Sequence, residues 1–399
     1  MPDPLANSNI ALGVTGSIAC YKAVDLASKL TQAGALVDVV MTADACKFLA
    51  PLTFRSITHR PVVTNVFDPQ SELSIDHVAI AERADAVIVA PATANTIAKL
   101  AHGFADDALT TTILATQAPL IVAPAMDAHM YDNVATQRNI ATLRERGCVI
   151  AGPASGRLAS GLVGKGRLLE TPELLGCLRQ TLGSDGDLAG RKVVVSAGGT
   201  QEPIDPVRVI ANHSSGKMGY AVAEAARDRG AEVSIVSAPT ALPDPFGIKV
   251  VSVRTALQMQ GALHKECANA DALVMAAAVA DWRPSDMSDQ KVKKGAADTW
   301  QIELIKNPDI IAGITFERLV KVGFAAESED LVANAESKLL GKGLHLIAAN
   351  DITAEDSGFG VDTNKVVLLD REGGQEALPL MSKYDVGCAI LDRVVGYLY

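Results

Sequence analysis

Aromatic side chains are scarce, 4% of 399 residues with two tryptophans. Such a chain must build its interior from small and branched aliphatics, which favours tightly packed α/β layers. Cysteine is sparse too. Cys20, Cys46, Cys148, Cys177, Cys267 and Cys388 form no CxxC pair, which excludes a zinc-finger pattern and offers no disulfide framework. Most of them read as small buried hydrophobes in a reducing compartment. No uninterrupted apolar run is long enough to span a bilayer. The opening MPDPLANSNI lacks the basic head and apolar core of a secretory signal. A cytoplasmic location with no membrane partner is the expectation. Net positive charge is lacking as well. The formal charge of −10 argues against a nucleic-acid surface. A nucleotide substrate stays open, because a few local lysines and a divalent cation can neutralise it.

The most informative stretch is Val193–Gly219, VVVSAGGTQEPIDPVRVIANHSSGKMG. Its β-branched start predicts a buried strand. Ser196–Thr200 is a small-residue turn whose backbone a ligand can approach. A polar loop with Asp205, Arg208, Asn212, His213 and Lys217 follows, then a helix beginning near Lys217. Strand, small turn and helix N-terminus are the parts of a nucleotide or phosphate site. Two motifs are excluded. Ser215-Gly216-Lys217-Met218 is no P-loop, because Ala211 stands for its first glycine and Met218 for its Ser/Thr. The run from Ala197 to Glu202 lacks the third glycine of a dinucleotide fingerprint.

The first half alternates strands (Ile10–Val14, Leu36–Met41, Ala86–Ala90, Leu120–Ala123) with helical segments, the first of them Ile18–Leu30. That pattern predicts a parallel sheet with ligands at the strand C-terminal ends. Backbone groups near Gly16 and Ser17 would face an anion. Thr93, Asn95 and Thr96 either cap the next helix or hold a ligand. Pro124–Asp127 follows another strand. His77, in Ser74–Val78 before a short helix, is either structural or a base that titrates near neutrality. Gly183–Asp187 is the best domain boundary.

In the second half, strands are expected at Glu232–Val236 and Ala272–Ala276, and a helix at Ala256–Ala268. Asp281 binds a metal or a ribose hydroxyl, or is a loop residue. Lys291–Lys294 is a positive run that suggests a flap over an anion. Val322–Glu327 is expected to follow a strand, and Phe324 could stack on a base. Lys338 and Lys342 are expected on one helix face at i and i+4.

These segments carry a resemblance. GVTGSIACYKA, ADAVIVAPATANTIAKLAHGFADD and APAMDAHMY resemble the flavin-containing cysteine decarboxylases. GGTQEPIDPVR, NHSSGKMG, AAVADWRP, KVKK, NPDI, VGFAAE and KLLGKG resemble, in family order, the synthetase half of bifunctional phosphopantothenoylcysteine decarboxylase/phosphopantothenate–cysteine ligase. The resemblance implies two doubly wound three-layer α/β/α domains. Residues 1–188 would be the FMN-dependent decarboxylase and residues 189–399 a Rossmann-like, CTP-dependent ligase. Gly16, Ser17, Thr93, Asn95 and Thr96 would hold FMN, and His77 would be catalytic. Asp127 and Ser160 depart from the family's Asn and Cys; Asp127 is expected to be protonated beside the substrate carboxylate and to act as an acid.

In the ligase half, the substrates would be 4′-phosphopantothenate, L-cysteine and CTP, with Mg2+ held by Asp281. Asn212 would turn an acyl-cytidylate over to cysteine, with Arg208 contacting that intermediate and Lys291 serving both catalysis and nucleotide binding. Ala277, Asp281, Asn307, Pro308, Asp309, Ile310, Phe324, Lys338 and Lys342 would complete the CTP site. The assembly implied is a homo-oligomer with trimeric decarboxylase and dimeric ligase contacts, up to a dodecamer. A ligase whose flavin half has lost or changed its chemistry, and a flavin-binding scaffold, are the competing readings. The intact Asn212, Lys291 and Lys338 argue against the scaffold.

Overall fold

Ile10–Val14 and Val193–Val195, apolar runs too short for helices, each lie in the first strand of a parallel sheet. The computed structural model describes residues 3–66, 76–293, 299–327, 330–351 and 360–399. The chain divides into two compact units, 3–182 and 183–399. Among the described residues no helix is long and apolar enough to cross a membrane.

The first unit runs β1 (Asn9–Val14), α1 (Tyr21–Gln32), β2 (Leu36–Met41), α2 (Pro51–Thr58), β3 (Val62–Val63), α3 (Asp76–Arg83), β4 (Ala86–Ala92), α4 (Ala94–His102), α5 (Ala108–Ala115) and β5 (Leu120–Pro124). It continues through α6 (Ala128–Asp132), α7 (Val134–Glu145), β6 (Val149–Ile150), a hairpin of β7 (Ala154–Arg157) and β8 (Val163–Arg167), and α8 (Thr171–Leu182). Six parallel strands lie in the order β3-β2-β1-β4-β5-β6. Ala11, Val87, Val89 and Val122 pack with Ile97, Leu100, Ile140 and Leu143 on one face. Strand alternation leaves Ile10, Leu12 and Ile88, also buried, for the other face. Two expectations shift. The helix expected from Ile18 opens with a 3-10 turn at Ile18–Cys20, and His77 lies inside α3 rather than before a helix.

The second unit runs β9 (Lys192–Ala197), β10 (Gln201–Pro203), β11 (Val209–Ala211), α9 (Lys217–Arg227), β12 (Glu232–Ser237), β13 (Lys249–Ser252), α10 (Ala256–Cys267), β14 (Ala272–Met275), β15 (Trp282–Pro284) and β16 (Leu304–Lys306). Then come α11 (Ile310–Gly313), β17 (Val320–Glu327), α12 (Leu331–Gly341), β18 (Leu346–Asp351), β19 (Thr363–Asn364), β20 (Val366–Asp370), β21 (Gln375–Ala377), β22 (Met381–Ser382) and α13 (Lys383–Leu398). Its main sheet has the order β13-β12-β9-β14-β17-β18-β20-β21. Pairing is parallel as far as β18 and antiparallel at β20 and β21. The doubly wound core therefore carries an antiparallel edge that the periodicity did not reveal. Val322–Glu327 lies within strand β17, not after one. Lys342 is the C-cap of α12, not a residue of its face.

Alternation along β9 separates two helical layers. Val193, Val195 and Ala197 pack with α9 and α13 through Val222, Ala223, Ile390 and Val394. Val194 packs with Met259, Leu263 and Leu339 of α10 and α12. Each fully buried valine contributes roughly 1.5–3 kcal/mol. The alanines of α9 let its backbone lie close to the sheet, and Gly219 marks the closest approach. A Cβ there would lie 2.7 Å from the Ala197 Cβ and 2.8 Å from the Ser196 carbonyl oxygen.

Gly219→Ala is therefore expected to destabilise the protein by about 1–3 kcal/mol through overpacking. Gly261→Ala, in α10 with nothing within 4 Å of the added carbon, should stabilise by about 0.5–1 kcal/mol. Urea midpoints of both variants check the contrast; equal shifts would remove the close-packing account of α9.

Candidate active sites

In the first unit the strand order reverses between β1 and β4, where an open α/β sheet leaves a ligand crevice. The buried Thr15 locks the two strand ends together. Its Oγ1 donates to the Pro91 carbonyl at 2.7 Å and accepts from the Thr93 N–H at 3.1 Å. Beside this lock a cavity of about 640 Å³ is lined by Gly16, Ser17, Thr93, Asp127 and Ser160 among others. A Cβ at Gly16 would collide with the Asp44 side chain. Ile18, Tyr21, Met126 and Met130 give the cavity apolar walls, and Lys22, Arg157 and Arg167 bring cations that the sequence reading missed. Lys22 gave no local signal, since only folding brings its ammonium to Glu170 at 2.9 Å.

The Thr93–Thr96 segment divides its roles. Thr93 lines the cavity while its Oγ1, as N-cap of α4, accepts from the Thr96 N–H at 3.2 Å. Thr96 is buried behind it, with the two hydroxyl oxygens 3.0 Å apart. Neither Asn95 nor Thr96 lines the cavity. His77 does not line it either, and its buried Nδ1 has no hydrogen-bond partner among the described residues. Ser74 and Ile75 lie outside those residues.

Asp127 and Ser160 do meet. The Ser160 hydroxyl donates to Asp127 Oδ2 at 2.6 Å, and Oδ1 accepts from the His129 N–H at 3.0 Å as the N-cap of α6. The hairpin bearing Ser160 is seated by Met126 N–H donating to the Gly166 carbonyl at 2.9 Å. The Ser160 hydroxyl, then the His129 amide, hold the Asp127 carboxyl below the usual carboxylate range. The neutral Asp127 expected beside a substrate carboxylate is a different state from this one. In the protein alone the two donors outweigh burial, and no like charge opposes them.

The second unit repeats the arrangement. Its strand order reverses between β9 and β14, and a cavity of about 950 Å³ opens at their C-terminal ends. Buried hydroxyls again tie the loops: Ala280 N–H donates to Thr200 Oγ1 at 2.9 Å and Ala277 N–H to Ser196 Oγ at 3.1 Å. The Asn212 amide donates to the Val279 carbonyl at 3.0 Å, and Asn307 to the Ala280 carbonyl at 2.8 Å. These bonds shape the Ala277–Asp281 wall. Gly199 fits beneath it because a Cβ would lie 2.7 Å from the Asn212 carbonyl oxygen.

Ala277, Asp281, Asn307, Pro308, Asp309, Ile310, Phe324, Lys338 and Lys342 all line this cavity, with Asn212. The half-buried Phe324 presents a ring for a flat ligand. Lys342 pairs with Asp309 at 3.1 Å. Lys217, Lys306 and Lys383 also line it, giving a cationic wall suited to a polyanion. Lys383 had no sequence signal, because it opens the last helix far from any motif. Among the described residues no cluster of three or more His, Cys, Asp or Glu is arranged to hold a metal ion.

Arg208 and Lys291 fall outside the cavity lining. Arg208 is tied to the buried Asp205, at 3.0 Å from Nε, and donates to the Val292 carbonyl at 2.9 Å. Its guanidinium lies 4.3 Å from the Trp300 ring centroid. Asp205 also accepts from the Val207, Arg208 and Val292 N–H groups. The knot thus anchors the segment beginning at Lys291; Lys294 lies outside the described residues. Arg208, with the backbone donors behind it, outweighs desolvation and leaves the Asp205 carboxyl far below its ordinary range. A depressed carboxylate stabilises the folded state above its unfolded pKa and loses that contribution as pH falls through the folded value. The tether is therefore complete at neutral pH. Asp205→Asn should release it there, seen as faster tryptic cleavage after Arg208, Lys291 or Lys293. Cleavage at the parent rate would mean that Asp205 does not restrain the segment.

The chain matches the family model described as Flavoprotein over residues 2–183. It matches that of the DNA/pantothenate metabolism flavoprotein C-terminal domain over residues 188–398. It is 45% identical over 394 residues to the coenzyme A biosynthesis bifunctional protein CoaBC of Vibrio cholerae serotype O1, covering 98% of both chains. The protein of that name from Bacillus subtilis is 45% identical over 397 residues, again covering 98% of both. That of Escherichia coli K12 is 42% identical over 396 residues, covering 98% of this chain and 97% of the relative.

Proposed function

The chain belongs to the family of coenzyme A biosynthesis bifunctional proteins, and from that premise we propose how its two units divide the work. It is an enzyme with ligase and decarboxylase activities. The second unit, residues 189–399, joins 4′-phosphopantothenate to L-cysteine at the expense of CTP. The observation that carries this is the 950 Å³ cavity at the strand reversal, where lysines, Asn212 and Phe324 converge.

In the first ligase step a carboxylate oxygen of 4′-phosphopantothenate bonds to the α-phosphorus of CTP, and pyrophosphate leaves. Lys338 and Lys342 offset the charge building on the phosphates. Asp281 would hold a Mg2+ carried by those phosphates, which commonly takes one or two carboxylates plus substrate oxygens and would offset phosphate charge there. In the second step the cysteine amine attacks the acyl carbon, CMP leaves and the amine proton passes to water. Asn212, beside the Ala277–Asp281 wall, orients the acyl group. Arg208 and Lys291 act from the Asp205-anchored segment when it closes over the nucleotide.

The first unit, residues 1–188, is the decarboxylase. Its cavity fits FMN: about 640 Å³, apolar walls for a flat ring, and the cations of Lys22, Arg157 and Arg167 for a phosphate. Gly16, Ser17 and Thr93 would hold the cofactor, with Thr96 supporting Thr93 from behind and the exposed Asn95 reaching the cofactor from the first turn of α4. Bound FMN supplies the electron-pair acceptance and return that decarboxylation of a cysteinyl group requires. His77 takes the substrate proton. Ser160 and Asp127 hold one exchangeable proton at the cavity rim, and an incoming substrate carboxylate raises the pKa of Asp127 until it can donate. The protein works in the cytoplasm as a homo-oligomer; apolar side chains left exposed, Ile18 and Tyr21 in one unit and Trp282 and Ile305 in the other, support the self-association.

Pyrophosphate release is expected to require 4′-phosphopantothenate, CTP and Mg2+ together. Turnover with ATP equal to or better than that with CTP would overturn the nucleotide assignment.

His77→Asn is expected to lower carbon dioxide release from 4′-phosphopantothenoylcysteine about 10²–10⁴-fold. The purified variant should keep its yellow flavin spectrum and parent ligase rates. Decarboxylation at the parent rate would exclude His77 as the base.

A further inference from the structure

Three lysines of the ligase cavity, Lys217, Lys306 and Lys383, have no role in the scheme above, and two of them meet. Lys217 opens α9 and Lys383 opens α13. Their ammonium groups converge on one short segment, Gly360–Asp362. Lys217 Nζ donates to the Gly360 carbonyl and to the Asp362 carboxylate, both at 2.7 Å. Lys383 Nζ donates to the Val361 carbonyl, and its backbone N–H to the Asp362 carbonyl at 3.0 Å. Both side chains line the cavity, beside Asn350 and Asn364.

The two differ in burial. Lys383 is 6% exposed, an unusual place for an ammonium group. Desolvation, then the nearby Lys217, lower its pKa. Lys217 is 31% exposed and its partner Asp362 is 89% exposed. An ion pair so open to water is weak and readily exchanged. The arrangement therefore places a buried cation and a partly exposed one at the same point of a cavity wall, facing a carboxylate that is free to swing into solvent. A phosphoryl group carries up to two charges on three acceptor oxygens, so it can engage both ammonium groups at once.

We propose that Lys217 and Lys383 form a phosphoryl subsite of the ligase cavity, and that Asp362 is the internal carboxylate a phosphoryl group displaces. This rests on the ligase reading of the second unit. It extends that reading to residues distinct from Lys338 and Lys342, and divides the cationic wall into two anion sites. A ligase whose two large substrates both carry phosphate has use for both. The phosphoryl group comes either from the nucleotide or from the phosphate ester of the acyl substrate.

The test is isothermal titration of the full-length, flavin-loaded protein and of Lys217→Met, Lys383→Met and Asp362→Asn. The probes are CTP with Mg2+, 4′-phosphopantothenate, and pantothenate, which lacks the phosphate. Each lysine variant should bind one of the two phosphorylated probes about tenfold or more weakly, and the probe affected identifies the source of the phosphoryl group. Asp362→Asn should bind that same probe about threefold more tightly, and pantothenate should be unaffected throughout. Parent affinity for both phosphorylated probes in folded lysine variants overturns the subsite. So does equal weakening of pantothenate, which would assign the lysines to the pantothenoyl chain. If Lys383→Met fails to fold by circular dichroism, Lys217→Met and Asp362→Asn decide the matter. A parent protein that binds neither phosphorylated probe overturns the ligase reading itself, and the subsite with it.

Discussion

Both sites depend on a buried threonine hydroxyl that joins the loops following two neighbouring parallel strands. Parallel strands end with backbone groups that no further strand satisfies. Thr15, between β1 and β4, spends its hydroxyl on the Pro91 carbonyl and the Thr93 N–H. Thr200, between β9 and β14, accepts from the Ala280 N–H. Each hydroxyl removes an orphan group from a buried place, where leaving it unmade would cost about 1–3 kcal/mol. Each also fixes the width of the crevice at the reversal of strand order. The cavities lie beside these bonds because loops so tied cannot collapse into the gap.

The scarcity of aromatic residues serves the same end. Alanine and valine let α9 lie on β9 at a distance set by Gly219 and Ala197. A helix seated that low brings its first turn, with Gly216 and Lys217, level with the strand ends and into the cavity wall. Bulkier side chains would lift the helix and move the lysine away from Gly360 and Asp362. Packing distance thus becomes electrostatics: a small-residue interface determines where a charge stands.

The two cavities differ in how they treat charge. The ligase cavity gathers lysines from four separate elements, α9, α12, α13 and β16 with the α12 cap, and offsets them with few carboxylates. The first unit's cavity is mostly apolar, with Asp127 at its rim held as a carboxylate by Ser160 and His129. A triphosphate needs the first kind of surface. A flat ring with a reacting carbon at its edge needs the second.

Most of the first-strand and loop geometry was legible in the sequence. β-branched runs of four to six residues can only be buried strands when helical segments alternate with them. The Gly16–Ser17 and Ser196–Thr200 turns mark backbone approach by their lack of side chains. Local composition thereby located both crevices and much of the wall of the second unit's cavity. The ion pairs and partners were decided by tertiary structure, because they join residues far apart in the chain. No local pattern shows that Lys383 meets the Gly360–Asp362 segment, or that Lys22 meets Glu170. Nor does one show that Arg208 is spent on Asp205 and Val292 rather than turned into the cavity. The ionisation of Asp127 is of the same kind. A substrate carboxylate and partial burial would press that carboxyl toward neutrality, but the hydroxyl that holds it charged in the protein alone comes from a hairpin more than thirty residues later. Strand period and turn chemistry are set within a few bonds of a residue, whereas a pKa or a salt bridge is set by whatever the fold brings within a few ångströms.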